Sequence, residues 1–209
     1  MKLYYSPGAC SMAVHIVLLE TRRLFDLDRV DLKTKRTASG EDFFAINPKG
    51  SVPVLQLGSE RLTEAQVILQ YLADLEPGSG LAPPQGTFAR YRLQEWLSFL
   101  SSEVHKGFSP LFKRDVPEPY AAKIRGRLAE RFTYIQNELS DSGYLMGETF
   151  SVADAYLFTL LRWGDQFGID LQLWPNIADY EDRILIRPSV VAAMDTEGIP
   201  VRHVLRRSA

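Results

Sequence analysis

Apolar and polar positions change period several times over the first third of the chain, then settle into helical spacing. Lys2 to Tyr5 reads as a strand, Ser11 to about Arg23 as a helix, and Leu27 to Leu32 as a second strand. The turn residues Asn47-Pro48-Lys49-Gly50 follow. Val52 to Leu57 is a further strand, Arg61-Leu62 a short extended piece, and a helix begins after Thr63. Thr63-Glu64-Ala65-Gln66 has the spacing of a capping box, in which the Thr63 hydroxyl takes a first-turn amide and Gln66 reaches back.

Between Glu76 and Gly86 the chain carries six proline or glycine residues, which helix and strand interiors do not tolerate. A domain boundary is expected there, with residues 78–86 as the linker. Beyond it the pattern predicts helices over about Thr87–Phe112, Glu118–Leu139 and Val152–Phe167, with shorter ones near Ile177–Ile186 and Ser189–Thr196. Ser151 can cap the amide of Asp154 while the Asp154 carboxylate returns a bond, a folding role and not a catalytic one. The fold class expected is therefore α+β in two domains. Residues 1–77 form a thioredoxin-like domain with a mixed sheet in the order β-α-β-α-β-β-α, and residues 87–199 form an all-α bundle. Residues 200–209 are a basic tail for which the sequence offers no function.

The 24 lysines and arginines against 26 acids, a net charge of -2, leave no basic footprint for nucleic acid or an anionic membrane. No apolar run approaches the roughly 20 residues that span a bilayer, so a cytoplasmic location is expected. The single cysteine, Cys10, excludes an intrachain disulfide, a Cys-x-x-Cys pair and a cysteine-rich zinc site, and no metal is expected. Any thiol chemistry at Cys10 takes its second sulfur from another molecule.

Six motifs run in order along the chain: Ser6-Pro7-Gly8-Ala9-Cys10-Ser11, Asn47-Pro48-Lys49-Gly50-Ser51-Val52-Pro53, Leu62-Thr63-Glu64, Leu93-Gln94-Glu95-Trp96, His105-Lys106-Gly107-Phe108-Ser109-Pro110, and Ser151-Val152-Ala153-Asp154-Ala155-Tyr156. With them the chain resembles the beta-class glutathione transferases of bacteria over nearly all of residues 1–199. The resemblance implies conjugation of reduced glutathione to small hydrophobic electrophiles, a detoxification chemistry, carried out by a homodimer with two glutathione sites.

Cys10 stands at a strand-to-helix junction, where unpaired amides and the helix dipole favour a sulfur anion. Cys10 can form a mixed disulfide with glutathione, or its surrounding amides and the Ser11 hydroxyl can stabilise the thiolate of non-covalently bound glutathione; a small buried hydrophobe is the plain alternative. Other transferase classes use tyrosine or serine for this duty, which keeps Ser11 as a rival, while Tyr5 reads as strand packing. In the resembling family the Val52-Pro53 bond is cis, and Val52 exchanges backbone bonds with the cysteinyl part of glutathione. Amides of Ala65 and Gln66 suit the glutamyl carboxylate, and Glu64 its ammonium group. Lys35 matches the family position that meets the glycyl carboxylate. Ser98 stands where relatives commonly carry asparagine, at a contact made across the dimer.

On the long helix, Phe88, Tyr91, Phe99, Leu100, Val104, Phe108 and Leu111 read as one apolar side, and Gln94, Ser98, Ser101, Ser102, His105 and Ser109 as another. Pro110 should bend the helix just after His105-Lys106-Gly107 and aim that pair at the cleft. His105 then hydrogen-bonds the reacting sulfur or the electrophile, and Lys106 tunes the field; His15 reads as structural. Two rival functions remain. One is a reductase of disulfides or peroxides through a Cys10–glutathione mixed disulfide. The other is a non-catalytic module that binds hydrophobic ligands or protein, whose sign would be a degraded glutathione site.

Overall fold

A computed structural model describes residues 1–139 and 143–200. Of the tail expected over 200–209, all but Pro200 lies outside the described residues. The chain opens with β1 (Lys2–Tyr5), α1 (Ser11–Glu20), β2 (Asp26–Asp31), β3 (Arg36–Thr37), α2 (Phe43–Ile46), β4 (Val54–Leu57), β5 (Glu60–Thr63) and α3 (Ala65–Asp74). A five-stranded sheet results, in the order β3-β2-β1-β4-β5. β1 and β2 are parallel across the α1 crossover, and the other pairings are antiparallel. This is the mixed thioredoxin-like sheet the strand spacing predicts, plus the two-residue β3, too short to leave a pattern. α1 stops at Glu20 because Thr21 bonds back to Leu18 and Arg22 takes a positive φ of 54°.

The rest is helical: α4 (Phe88–Phe99), a π-turn over Leu100–His105, α5 (Lys106–Phe108), a 3₁₀ turn over Ser109–Phe112, α6 (Glu118–Glu138), α7 (Val152–Leu161), α8 (Trp163–Gln166), α9 (Pro175–Leu185) and α10 (Pro188–Glu197). The helix expected over Thr87–Phe112 is thus not continuous. Pro110 does end α geometry at Phe108, but the departure starts earlier, where hydrogen bonding widens in the π-turn. Gly107 lies so close to α6 that a Cβ there would stand 2.9 Å from a Leu128 methyl, which fixes how deeply this segment sits. The expected apolar side also divides. Leu93, Leu97, Leu100, Val104 and Phe108 are buried, whereas Phe88 and Tyr91 are exposed on the opposite face.

α1 and α7 bind the two halves together. Every residue of α7 and most of α1 is buried, as expected for helices apolar all round, and α1 packs on α3, α7 and α10. One continuous core therefore runs from the sheet into the helices, while a smaller one of Tyr4, Val30, Phe43, Ile46, Val52 and Val54 lies under α2. The proline- and glycine-rich segment is tied down from both sides. Arg90 grips Asp74 with two bonds of 2.8 Å and reaches the Pro83 carbonyl, and the Val152 amide donates to Leu81. Among the described residues no helix is long and apolar enough to cross a membrane.

Candidate active site

The loop between β1 and α1 is held from every side. The Ser11 hydroxyl bonds both the amide and the carbonyl of Ser6, each at 3.2 Å, and is fully buried. Gly8, at a positive φ of 69°, receives a carboxylate of Glu197 on its amide at 2.9 Å, while its carbonyl accepts the Trp163 indole at 2.8 Å. The other oxygen of Glu197 bonds His15 at 2.9 Å, so α10 braces both α1 and the loop. His15 is accordingly structural, and the Ser11 hydroxyl is spent on closing the loop.

The braced loop delivers Cys10 to a point where two cavities meet. One, of about 400 Å³, is lined by charged and polar groups including Lys49, Glu64, Ser101, Lys106 and Tyr156. The other, of about 560 Å³, runs along the loop toward Leu32, Lys35, Phe112, Trp163 and Gln166. Cys10, Ser51, Val52 and His105 line both. Cys10 is buried and its thiol donates to the Val52 carbonyl at 3.3 Å. Burial pushes the thiol up to about 12, against the lowering pull of its own and the Ser11 amide and of Lys106. The sulfur anion expected from the helix dipole is therefore not the resting form. Helices of the second half seal Cys10 from water, and desolvation outweighs the dipole.

Val52 precedes a cis Pro53, the geometry the resemblance implied. Asn47 fixes the approach: its side-chain amide donates to the Ser51 carbonyl at 2.7 Å and its carbonyl accepts the Gly50 amide. Lys35, itself at φ 56°, stretches its ammonium to the Gly50 carbonyl at 2.7 Å on the wall of the second cavity. The capping box expected at Thr63 is absent. Thr63 is the last residue of β5, paired with Val54, and its hydroxyl accepts from the Lys49 ammonium at 2.8 Å. Glu64 takes the N-cap position of α3 at φ 70°, a conformation unfavourable for a residue with a side chain, and pairs with Lys49 at 2.5 Å. Lys49 is thus a site cation that the sequence shows only as part of a turn. The first amides of α3, Ala65 and Gln66, have no intrahelical acceptor and lie beside this ion pair.

His105 closes the π-turn, with its ring against Trp163 at 5.0 Å between centroids and its Nδ1 at 2.7 Å from the Tyr156 hydroxyl. Burial, helped by Lys106 and opposed by Glu64, pulls its pKa down to about 4, so the imidazole is neutral at neutral pH. Lys106 lines the polar cavity. Ser98 lies on the exposed face of α4, apart from both cavities; Tyr5, buried at the end of β1 and packed on His15, lines neither cavity. Tyr156, Phe112 and Trp163 are the lining groups that sequence reasoning passed over, because helical spacing alone makes each an ordinary core aromatic. Among the described residues no group of three histidine, cysteine or acidic side chains could hold a metal ion.

The chain matches two family models, the N-terminal domain of glutathione S-transferase over residues 1–74 and its C-terminal domain over residues 99–188. It is 44% identical over 200 residues to glutathione S-transferase GstA of Escherichia coli O157:H7, which covers 95% of this chain and all of that protein. Solved structures agree. A sphingomonad glutathione S-transferase complexed with glutathione is 45% identical with a TM-score of 0.92, covering 96% of this chain and 100% of that one. The beta-class enzyme of Sphingomonas chungbukensis is 46% identical with the same TM-score of 0.92 and the same coverage, 96% and 100%.

Proposed function

The chain belongs to the glutathione S-transferase family and is a transferase with glutathione as co-substrate; from this we propose that glutathione lies non-covalently across the two cavities, its sulfur between Cys10 and His105. The observation that carries this reading is the meeting of a charged cavity and a partly apolar one at Cys10, Val52 and His105. The glutamyl end fits the charged cavity, its ammonium on Glu64 and its carboxylate on the Ala65 and Gln66 amides beside Lys49. The cysteinyl part bonds the Val52 backbone next to Pro53, displacing the Cys10 thiol from the Val52 carbonyl. The glycyl carboxylate extends to Lys35.

A sulfur placed there meets the start of α1, a neutral imidazole and the Lys106 charge, all of which favour its thiolate. The thiolate attacks an electrophile resting between Phe112, Trp163 and Leu32. Rate comes from the lowered pKa of glutathione and from holding the partners together. Cys10, held protonated, serves as a hydrogen-bond donor and not as a covalent carrier. Ser11 supports the loop.

Exposed aromatic rings on α4 and α6 support assembly as a homodimer. Phe88 and Tyr91 are 74% and 60% exposed, and Tyr134, 46% exposed, borders with Trp96 and Phe99 a groove of about 710 Å³. A reduced thiol co-substrate and a lone cysteine fit a cytoplasmic enzyme. The test is turnover of a chloronitroaromatic with glutathione by Cys10→Ala. Conjugation is expected to stay within about fivefold of the parent, the worth of one weak hydrogen bond. Collapse of turnover, with a one-glutathione mass increment on parental Cys10, would transfer the role to a mixed disulfide.

A further inference from the structure

Tyr156 sits in the middle of α7, 1% exposed, and lines the polar cavity. Its hydroxyl lies 2.7 Å from Nδ1 of His105, and Ser101 of the π-turn lines the same cavity. The two rings meet edge to face at 83°, with Trp163 on another side of the imidazole, so the ring cannot turn over without breaking both contacts. The charged and titratable groups facing His105 are Lys106, Glu64 from the start of α3, and Cys10 from the start of α1.

A neutral imidazole carries one proton, and its tautomer is set by the partner of its other nitrogen. Burial holds the phenol well above the range in which it ionises, so it keeps its proton. That proton can be given to Nδ1, the ring nitrogen 2.7 Å from the phenol oxygen. The imidazole proton then stands on Nε2, the nitrogen left for the cavity.

We propose that Tyr156 is a positioning residue for the transferase reaction: its hydroxyl, donating to Nδ1, holds His105 in the Nε2–H tautomer, which presents a hydrogen-bond donor to the glutathione sulfur. The inference rests on the placement of glutathione given above, which puts the sulfur beside His105. Without the phenol, the imidazole divides between tautomers, and the one with a bare Nε2 lone pair repels a sulfur anion.

Nitrogen-resolved NMR of the imidazoles in the whole protein reads the tautomer directly, and His105 is expected to show a protonated Nε2 and an unprotonated Nδ1. A protonated Nδ1 in the parent overturns the proposal, whatever the variants do. In Tyr156→Phe the Nε2–H signature should weaken and kcat/KM for conjugation should fall about tenfold, the worth of one hydrogen bond, with KM for glutathione little changed. In a His105→Phe background, Tyr156→Phe should cost nothing further. An equal cost in both backgrounds means that the phenol acts alone and contradicts the proposal. If His105→Phe leaves the rate unchanged, the placement of the sulfur fails instead, while the tautomer measurement still judges the phenol.

Discussion

At the scale of single residues the site is defined by which groups burial keeps neutral. Cys10 sits at a helix start that by itself would favour a thiolate, yet enclosure by the second half pushes its thiol up to about 12. Alkylation of Cys10 by iodoacetamide at neutral pH should therefore be at least about tenfold slower than that of an unhindered thiol of pKa about 8.5. Mass spectrometry after timed exposure measures it. His105 gives a pH prediction of definite sign. Its folded pKa of about 4 lies below the ordinary value of 6.5, so the unfolded chain binds more protons between these limits. Its contribution to stability is complete above pH 6.5 and is lost as pH falls toward 4. Denaturant titrations should show a shallower loss over this window in His105→Phe than in the parent. Cys10, Val52, Glu64 and His105 were legible in the sequence because motif and element boundary coincide there. Their ionisation was not, since burial of Cys10 depends on helices far along the chain. Lys49 was hidden for a related reason: only the fold of β5 brings residue 64 back to the turn.

At the scale of elements, α7 shows what a cap does inside a core. The Asp154 carboxylate, fully buried, accepts from the Ser151 amide, the Ser151 hydroxyl, the Leu145 amide and the Tyr180 hydroxyl, at 2.8, 2.7, 2.8 and 2.9 Å. Asp154→Ala takes the acceptor from four buried donors, of which only the Tyr180 hydroxyl keeps another, and with about 1–3 kcal/mol for each donor left unpaired the loss should exceed about 3 kcal/mol. Thermal unfolding that moves by only a degree or two would refute that. This capping arrangement was legible because Ser151 and Asp154 directly precede a long apolar run. The equivalent reading at Thr63 failed because the strand pairing of Thr63 with Val54 claims the residue before α3 begins. Helix existence followed from periodicity throughout the second half. The π-turn at Leu100–His105 did not, since widened hydrogen bonding changes no residue type, and a plot at fixed period merged two opposite faces of α4.

At the scale of the whole molecule, the two halves share one core and several polar ties, among them those of Arg90, Glu197, Trp163 and Arg187. Arg90, 2% exposed, holds Asp74 at the end of α3, and its removal to alanine should cost about 1–3 kcal/mol by taking two bonds from a carboxylate that keeps only Gln85 and water. Glu197 ties the last described helix to Gly8 in the Cys10 loop, so Glu197→Ala should raise KM for glutathione as well as lower stability. A substitution with only one of these effects would separate the brace from the site. The prolines and glycines between Glu76 and Gly86 interrupt the sequence pattern locally, whereas the polar ties around them join residues too distant in sequence for any local pattern to show. On the outer face, Phe99→Glu should shift the particle toward a monomer by light scattering if the aromatic groove is the dimer contact.

In the proposed placement the cavity lowers the thiol pKa of glutathione while its own cysteine stays protonated. Ultraviolet absorbance of the thiolate, recorded as glutathione is titrated into Cys10→Ala at neutral pH, tests this most directly. A saturable thiolate signal in the variant, with an apparent pKa below the ordinary thiol value of about 8.5, is the predicted result. A signal that disappears with Cys10 would contradict the account.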